Sequence, residues 1–340
     1  MRRGLLRLGI GIALTVLVGG LALFPPHRAL TPTGGYRTAT ARYTYRDPLR
    51  IETFNARGEH RRVHASFWFP ENAQEGGTFP LVVFSHGGLG IETSNESLYL
   101  ELASQGYVVC AVGHPYHAFW TRDEAGGLTF VSPEYFRELQ QEDAKLDKQQ
   151  SFRDYQRWME TRTGDLNLVI DTILAKAADR TEGVYRLVDV ERIGVMGHSL
   201  GGAAALAVGR QRQDVDAVIA LEAPFLYDIT GVENGRFLWL EEAYPIPVLN
   251  IYSDSSWDHL SEWPQYARNA ALLAEAPESA PSLHLTGGGH LSLTDLPLAS
   301  PLLARMLEGG DAAQDSEAYL RSMQKASLDF FNHYLKGRDD

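Results

Sequence analysis

Residues 193–202 read Ile193-Gly-Val-Met-Gly-His-Ser-Leu-Gly-Gly202, and they carry the clearest structural pattern in the chain. An apolar run leads into Gly197-His-Ser-Leu-Gly201, and Ala-rich residues that favour a helix follow it. Glycines on both sides of a serine permit a turn that is too tight for a Cβ atom. A G-x-S-x-G pattern between a strand and a helix therefore predicts that the Ser199 hydroxyl is held exposed, with helix-terminal N–H groups behind it.

Short apolar runs on both sides of this turn predict further strands. They are bounded by Gly, Pro or Asp and alternate with longer amphipathic stretches. The predicted strands are residues 63–69, 81–84, 107–112, 192–196, 217–221, 248–252 and 282–285. The predicted helices are residues 94–105, 201–213, 263–275 and 316–336. This alternation is typical of an α/β protein in which helices cover both faces of a mostly parallel central sheet.

Residues 115–165 fit the alternation poorly, because aromatic and charged residues are mixed there without a strand pattern. Within them, residues 135–141 favour a helix. We predict an insertion near residues 115–165 that crosses one end of the sheet. It is either a lid or substrate wall, or a surface decoration without a role in the site.

A glycine-rich loop, Ser85-His-Gly-Gly-Leu-Gly90, follows the predicted strand 81–84. In hydrolases built on the G-x-S-x-G turn, a loop at this place donates a backbone N–H to the developing oxyanion. The second donor is the N–H of the residue after the nucleophile, here Leu200. The alternative is a tight turn that needs glycine for its backbone conformation alone.

A serine hydroxyl is a poor nucleophile until a base removes its proton, and the chain order in such hydrolases is serine, acid, histidine. His290 fits the place of the base, since it follows the strand 282–285 and three glycines, Gly287-Gly-Gly289. His284 lies within that strand and His333 on the last helix. Both are predicted to be packing or surface residues.

The acid that orients the histidine has more than one candidate. Glu222 follows the strand 217–221, and Asp254 follows the strand 248–252. The chain order allows either of them. Asp258 is a weaker third candidate, and Asp295 comes after His290 and so falls outside the order.

Composition excludes several other classes of function. The formal net charge is −12 and no long Lys/Arg run is present, so a nucleic-acid partner is not expected. The single cysteine, Cys110, lies in an apolar run and is predicted to be a buried thiol without a disulfide partner. His114 and His117 could suggest a metal site, but no third ligand is evident. We predict no metal and no cofactor.

The N-terminus differs in character from the rest of the chain. Arg2, Arg3 and Arg7 precede an uncharged apolar run, residues 8–24, whose length is at the short end of the about 17–25 residues that span a membrane. We predict that residues 1–24 form a membrane anchor that leaves the catalytic domain outside the cytoplasm, or alternatively a cleaved signal for secretion. Residues 25–40 are predicted to be a linker and residues 41–340 the domain.

Five blocks of sequence resemble the secreted platelet-activating factor acetylhydrolases and other serine esterases of the α/β-hydrolase superfamily, including dienelactone-hydrolase-like enzymes. The blocks are residues 80–87, 102–109, 193–202, 220–223 and 325–328, within a resemblance that runs from about residue 47 to 337. This resemblance implies the α/β-hydrolase fold. It also implies Glu222 rather than Asp254 as the acid, although Asp is usual at that position in the family. Gly88 is implied as the loop oxyanion donor, with Leu89 as the runner-up.

The resemblance further implies a serine hydrolase that cleaves carboxylic esters with short or truncated acyl chains, including lipid esters. The expected substrate is therefore a small-molecule or lipid ester. The alternative is a noncatalytic or binding protein on a hydrolase scaffold, because a fold does not dictate a function. No oligomeric state is predicted.

Overall fold

The computed structural model of the protein describes residues 23–26, 29–71, 77–179, 182–308 and 313–337. The strands within these ranges are β1 (Thr38–Ile51), β2 (His60–Pro70), β3 (Phe79–Ser85), β4 (Val108–Gly113), β5 (Trp120–Arg122), β6 (Leu128–Phe130), β7 (Val188–His198), β8 (Ala217–Leu221), β9 (Ile229–Glu233), β10 (Arg236–Trp239), β11 (Val248–Tyr252) and β12 (Ser282–His284). The α-helices are α1 (Glu96–Ser104), α2 (Pro133–Gln141), α3 (Lys148–Ala178), α4 (Leu200–Gln211), α5 (Asp254–Trp257), α6 (Ala267–Glu275), α7 (Leu296–Ala299), α8 (Pro301–Leu307) and α9 (Ser316–Lys336).

The central sheet has the strand order β1-β2-β4-β3-β7-β8-β11-β12 within the described ranges. The first two pairings, β1 with β2 and β2 with β4, are antiparallel, and the remaining ones are parallel. All seven predicted strands are present, and β8 and β11 have the predicted bounds. The predicted α/β-hydrolase fold, with its mostly parallel sheet, is therefore confirmed. Strand β1 was not predicted, because it is an edge strand whose residues are mostly half-buried or exposed.

Helices cover both faces of this sheet. On one face, α3 and α4 share a hydrophobic core with the sheet, which includes Val169 and Ala204. On the other face, α1 and α9 form a second core that includes Leu98 and Phe331. Helix α9 has the predicted bounds and ends at Gly337, whose φ of 63° is the left-handed conformation that favours glycine at a helix end.

The region predicted as an insertion near residues 115–165 contains the β5–β6 hairpin, α2 and the first half of α3. Its extent differs from the prediction, since α3 runs without a break from Lys148 to Ala178, and later residues of this helix, such as Val169, pack in the core beside the sheet. The buried face of this helix carries Arg162 and Asp165 among its apolar residues. Buried charges at those positions interrupt the apolar spacing from which a helix is predicted.

Most of the predicted anchor, residues 1–24, lies outside the described residues. The segment predicted as a linker contacts the domain before the sheet begins, since Leu30 is buried and the Thr33 N–H donates to the Glu101 carboxylate at 2.8 Å. The first strand then starts at Thr38, inside that segment. In the described part of the chain, none of the helices is both long and apolar enough to cross a bilayer.

Candidate active site

Ser199 lies on a strained turn between β7 and α4. Its φ of 54° and ψ of −125° are rare for a residue that has a Cβ atom. The turn also brings backbones very close together: a Cβ atom added to Gly201 would lie 2.1 Å from the Ser85 carbonyl oxygen, and one added to Gly197 would lie 2.4 Å from Gly201. Both flanking positions of the G-x-S-x-G pattern therefore require glycine, as the sequence predicted.

Glu222 is the carboxylate that contacts His290. It follows β8 in the left-handed conformation, with a φ of 48°, and its Oε1 accepts from His290 Nδ1 at 3.2 Å. The Ser253 N–H donates to Oε2 at 2.9 Å and the Ser255 hydroxyl donates to Oε1 at 2.9 Å. Because both oxygens are held, the carboxylate fixes the orientation of the His290 ring.

Glu222 and His290 each stabilise the charged form of the other. Burial raises the pKa of the Glu222 carboxyl, but the hydrogen bond from His290, the charge on that ring and the hydrogen bonds from Ser253 hold the pKa well below its usual range. Desolvation lowers the pKa of His290, and the Glu222 carboxylate outweighs it and raises that pKa. With Nδ1 donating to Glu222, the other ring nitrogen, Nε2, is left as the base.

His198 joins the His290 loop to the serine turn. Its Nε2–H donates to the His290 carbonyl at 3.0 Å, and the two rings lie 4.4 Å apart between centroids. Within the described residues no direct hydrogen bond joins the Ser199 hydroxyl to His290. Such contacts often form only when substrate is bound. The structure thus brings the predicted serine, acid and base to one edge of the sheet.

The other candidate acids lie elsewhere. Asp254 pairs with His284 Nε2 at 2.7 Å, accepts from the Gly287 N–H at 2.7 Å, and has a side chain that is 47% exposed. Asp258 is exposed at the end of α5. Asp295 accepts from the backbone N–H of Ser97 at 2.7 Å.

The loop after β3 faces the serine. A Cβ atom added to Gly87 would lie 3.6 Å from Ser199 Cβ. Leu200 is the first residue of α4, where a backbone N–H has no acceptor within the helix. The Tyr135 hydroxyl donates to the Gly88 carbonyl at 2.9 Å and fixes the next peptide, which carries the Leu89 N–H. Both predicted donors, Gly88 and Leu200, therefore lie on segments that border Ser199.

A buried polar network beneath this loop was not predicted from the sequence. The Ser85 hydroxyl and His114 Nε2 are 2.9 Å apart, and His114 Nδ1 lies 3.0 Å from Asp165. Arg61 binds both oxygens of Asp165 at 2.7 Å. Since both His114 nitrogens are occupied, His114 has no lone pair for a metal. No cluster of three or more metal-ligating side chains occurs in the portion of the chain that the structure describes.

Glu308 was also not predicted from the sequence as part of the site. Its carboxylate accepts from the backbone N–H groups of Leu291 and Ser292, at 3.2 Å for Ser292. These N–H groups belong to the short helical turn that begins at His290. Glu308 therefore holds the turn that carries the candidate base, and no sequence motif marks this contact.

Comparison with known proteins identifies the family. The family model described as platelet-activating factor acetylhydrolase, isoform II, matches residues 63–340. The chain therefore belongs to this family, and the predicted resemblance is confirmed.

Curated relatives agree with this assignment. The platelet-activating factor acetylhydrolase of Canis lupus familiaris is 24% identical over 277 residues, which is 78% of this chain and 59% of the relative. The protein of the same name from Cavia porcellus is 22% identical over 284 residues, or 76% of this chain and 58% of the relative. The chain thus spans less than two thirds of the length of these relatives.

A solved structure shares the fold. The ferulic acid esterase from Streptomyces cinnamoneus superposes with a TM-score of 0.64 and 22% sequence identity, covering 92% of this chain and 94% of that chain. At this identity the likeness supports the arrangement of the sheet and helices and does not by itself assign a substrate.

Proposed function

We propose that this member of the platelet-activating factor acetylhydrolase family is a serine hydrolase that cleaves carboxylic esters through an acyl-enzyme. Ser199 is the nucleophile, His290 the base and Glu222 the acid that orients it, and the N–H groups of Gly88 and Leu200 bind the oxyanion. The observation that carries the proposal is the contact between the buried Glu222 carboxylate and His290 Nδ1, which are 3.2 Å apart. The His290 carbonyl accepts from His198, the residue before Ser199 on its strained turn.

The proposed reaction has two halves. His290 Nε2 removes the Ser199 proton while the oxygen attacks the ester carbonyl, and the Gly88 and Leu200 N–H groups bind the oxyanion as charge develops on it. The same histidine then protonates the leaving alcohol. Water, activated by His290 in turn, releases the acid from the acyl-enzyme. Because Glu222 stays ionised, it stabilises the imidazolium that forms in each half.

The substrate we propose is an ester with a short or truncated acyl chain, on a small molecule or a lipid. Apolar side chains close to the glycine-rich loop support an apolar substrate: Leu89 is 40% exposed, and Phe119, whose N–H donates to the Gly90 carbonyl, is 55% exposed. We also propose that residues 1–24 place the domain, residues 41–340, outside the cytoplasm through the segment 25–40.

Labelling of the full-length chain with a fluorophosphonate probe tests the proposed chemistry. We expect one probe per chain, on the peptide that contains Ser199, because only a serine with an activated oxygen attacks phosphorus readily. Hydrolysis of p-nitrophenyl esters with two to twelve carbons then measures the acyl pocket, with the highest kcat/KM among the shortest chains. A chain that takes up no probe and hydrolyses none of these esters would be a noncatalytic protein on this scaffold.

The pH dependence of kcat/KM should report the titration of His290. The imidazole acts as a base only when it is neutral, so activity falls as the pH is lowered through its pKa. Since Glu222 raises that pKa, we expect the midpoint to lie above the usual value of about 6.5. Glu222→Gln removes the charge and should move the midpoint of the residual activity downward. His259→Gln, at an exposed position, is the control. A midpoint that does not respond to Glu222→Gln would contradict the assigned pair.

A further inference from the structure

Arg162 is a fully buried arginine whose hydrogen bonds to the protein go to neutral oxygens. Its guanidinium donates to the carbonyls of His86, of Gly87 at 3.1 Å and of His117 at 3.2 Å, and it lies 3.5 Å from the Tyr135 hydroxyl. Two of these carbonyls belong to the glycine-rich loop beside Ser199. In the described parts of the chain, no carboxylate forms an ion pair with this guanidinium.

The buried acidic residue one turn further along the same helix is already engaged. Asp165 lies one turn after Arg162 on α3, but its oxygens bind Arg61, Arg50 and His114. A buried charge without an opposite charge in contact is costly for a fold. The guanidinium charge is therefore directed at the carbonyl oxygens of the loop and is not neutralised by a direct contact.

The planarity of a peptide relates the carbonyl that Arg162 binds to the direction of the N–H group in the same peptide. A trans peptide is planar, and its N–H points away from its carbonyl. Arg162 holds the Gly87 carbonyl together with His86 Nδ1 at 2.8 Å and the Gly90 N–H at 3.1 Å, and it is the charged one among these donors. The Gly88 N–H of the same peptide therefore points away from Arg162. A Cβ atom added to Gly87 would lie 3.6 Å from Ser199 Cβ, so this peptide lies beside the serine.

We propose that Arg162 is a positioning residue for the oxyanion site: it fixes the peptide between Gly87 and Gly88 and strengthens the Gly88 N–H as a donor. A cation bound to the carbonyl end of a peptide draws electron density toward that end, so the N–H at the other end donates a stronger hydrogen bond. The proposal rests on the proposed function, since it assigns Gly88 as an oxyanion donor. Arg162 itself does not touch the substrate.

Three variants of the full-length chain test this role. Arg162→Met removes the charge, Arg162→Lys keeps the charge but loses the paired N–H groups, and Tyr135→Phe removes the hydroxyl that binds the Gly88 carbonyl. The matched control is Arg157→Met, on the same helix, whose side chain is 49% exposed and binds Glu138 and Asp154. Titration with the fluorophosphonate probe gives the concentration of reactive Ser199 in each preparation, so every rate is expressed per active site.

Two quantities are then compared, kcat/KM for p-nitrophenyl acetate and Ki for a trifluoromethyl ketone, which forms a tetrahedral oxyanion adduct with the serine. Loss of an oxyanion donor costs about 100- to 1,000-fold in rate, so loss of its support should cost less. We expect about 10- to 100-fold for Arg162→Met and about 3- to 10-fold for Arg162→Lys and Tyr135→Phe. KM should change little, and Ki should rise by the same factor as kcat/KM falls.

A purely structural role for Arg162 gives a different result. It would lower the titrated fraction of active sites, while kcat/KM and Ki per active site would match those of Arg157→Met, and this outcome overturns the proposal. If Arg162→Met does not fold, Arg162→Lys decides, because it keeps a cation at this position but lacks the planar set of N–H groups that binds several carbonyls at once. Values of kcat/KM and Ki per active site equal to those of Arg157→Met would then overturn the proposal. Failure of the proposed function is distinguishable, because the wild-type chain would then fail to hydrolyse the ester or to take up the probe.

Discussion

Ser199→Ala should lower kcat/KM for p-nitrophenyl acetate by about 10⁵- to 10⁶-fold, close to complete loss. Alanine removes the attacking oxygen and leaves the oxyanion donors and the Glu222–His290 pair in place, so only weak residual catalysis remains. Stopped assays of purified wild type and variant at matched protein concentration measure the ratio, and the absence of probe labelling in the variant shows that no wild-type enzyme contaminates it. Alanine carries the same Cβ atom as serine, and the thermal unfolding midpoint is therefore expected to stay close to that of the wild type.

Ser322→Ala serves as the control for this prediction. Its hydroxyl is on the exposed side of α9 and donates to the Ala318 carbonyl, away from the site. Activity of the control should match that of the wild type. Full esterase activity in Ser199→Ala would remove Ser199 from the mechanism and, with it, the function proposed for the strained turn.

Replacement of the two candidate acids should separate them by a large factor. Glu222→Ala removes the carboxylate that orients His290 and stabilises its charged form, and we expect kcat to fall about 10⁴-fold, as for the loss of a triad acid. Asp254→Ala removes a half-exposed pair with His284 and should cost less than about tenfold. Both variants are assayed on p-nitrophenyl acetate at a pH well above the His290 midpoint, so that the base is neutral in each.

Glu222→Gln controls for the buried space that alanine would leave. Glutamine keeps the size of the side chain but not its charge, so a large loss of kcat in this variant would reflect lost electrostatics and not a cavity. The reverse ranking, with Asp254→Ala the more damaging change, would assign the acid to the strand β11 instead of β8.

The sheet and much of the candidate site follow from local sequence. Strands β8 and β11 and helix α9 have the predicted bounds, because apolar runs between clear breakers leave little choice of length. Gly197, Ser199 and Gly201 form the predicted turn because its backbone contacts exclude any Cβ atom at the two glycines. His290 and Glu222 meet because the ends of parallel strands lie along one edge of a sheet.

Other parts depend on contacts that no local pattern reveals. Helix α3 was not predicted, because its buried face carries Arg162 and Asp165, whose burial is explained only by partners on β2, on the loop after β3 and near His117. The hairpins β5–β6 and β9–β10 are short, and most of their residues are not buried, so they lack the apolar alternation of an internal strand. Glu308 reaches the His290 turn from the end of α8, and tertiary packing alone creates that contact.

The buried network that runs from Glu52 through Arg61 and Asp165 to His114 and Ser85 joins four strands, or the loops that follow them, to one helix. A change at any member leaves an ionised or polar partner without its contact, so laboratory evolution for new ester specificity should rarely accept mutations there. The exposed apolar residues of the β5–β6 hairpin, such as Leu128 and Phe130, are not members of this network, so their replacement leaves no buried polar group of the network without its partner. Changes in this hairpin can therefore accumulate without disturbing the contacts that hold the glycine-rich loop.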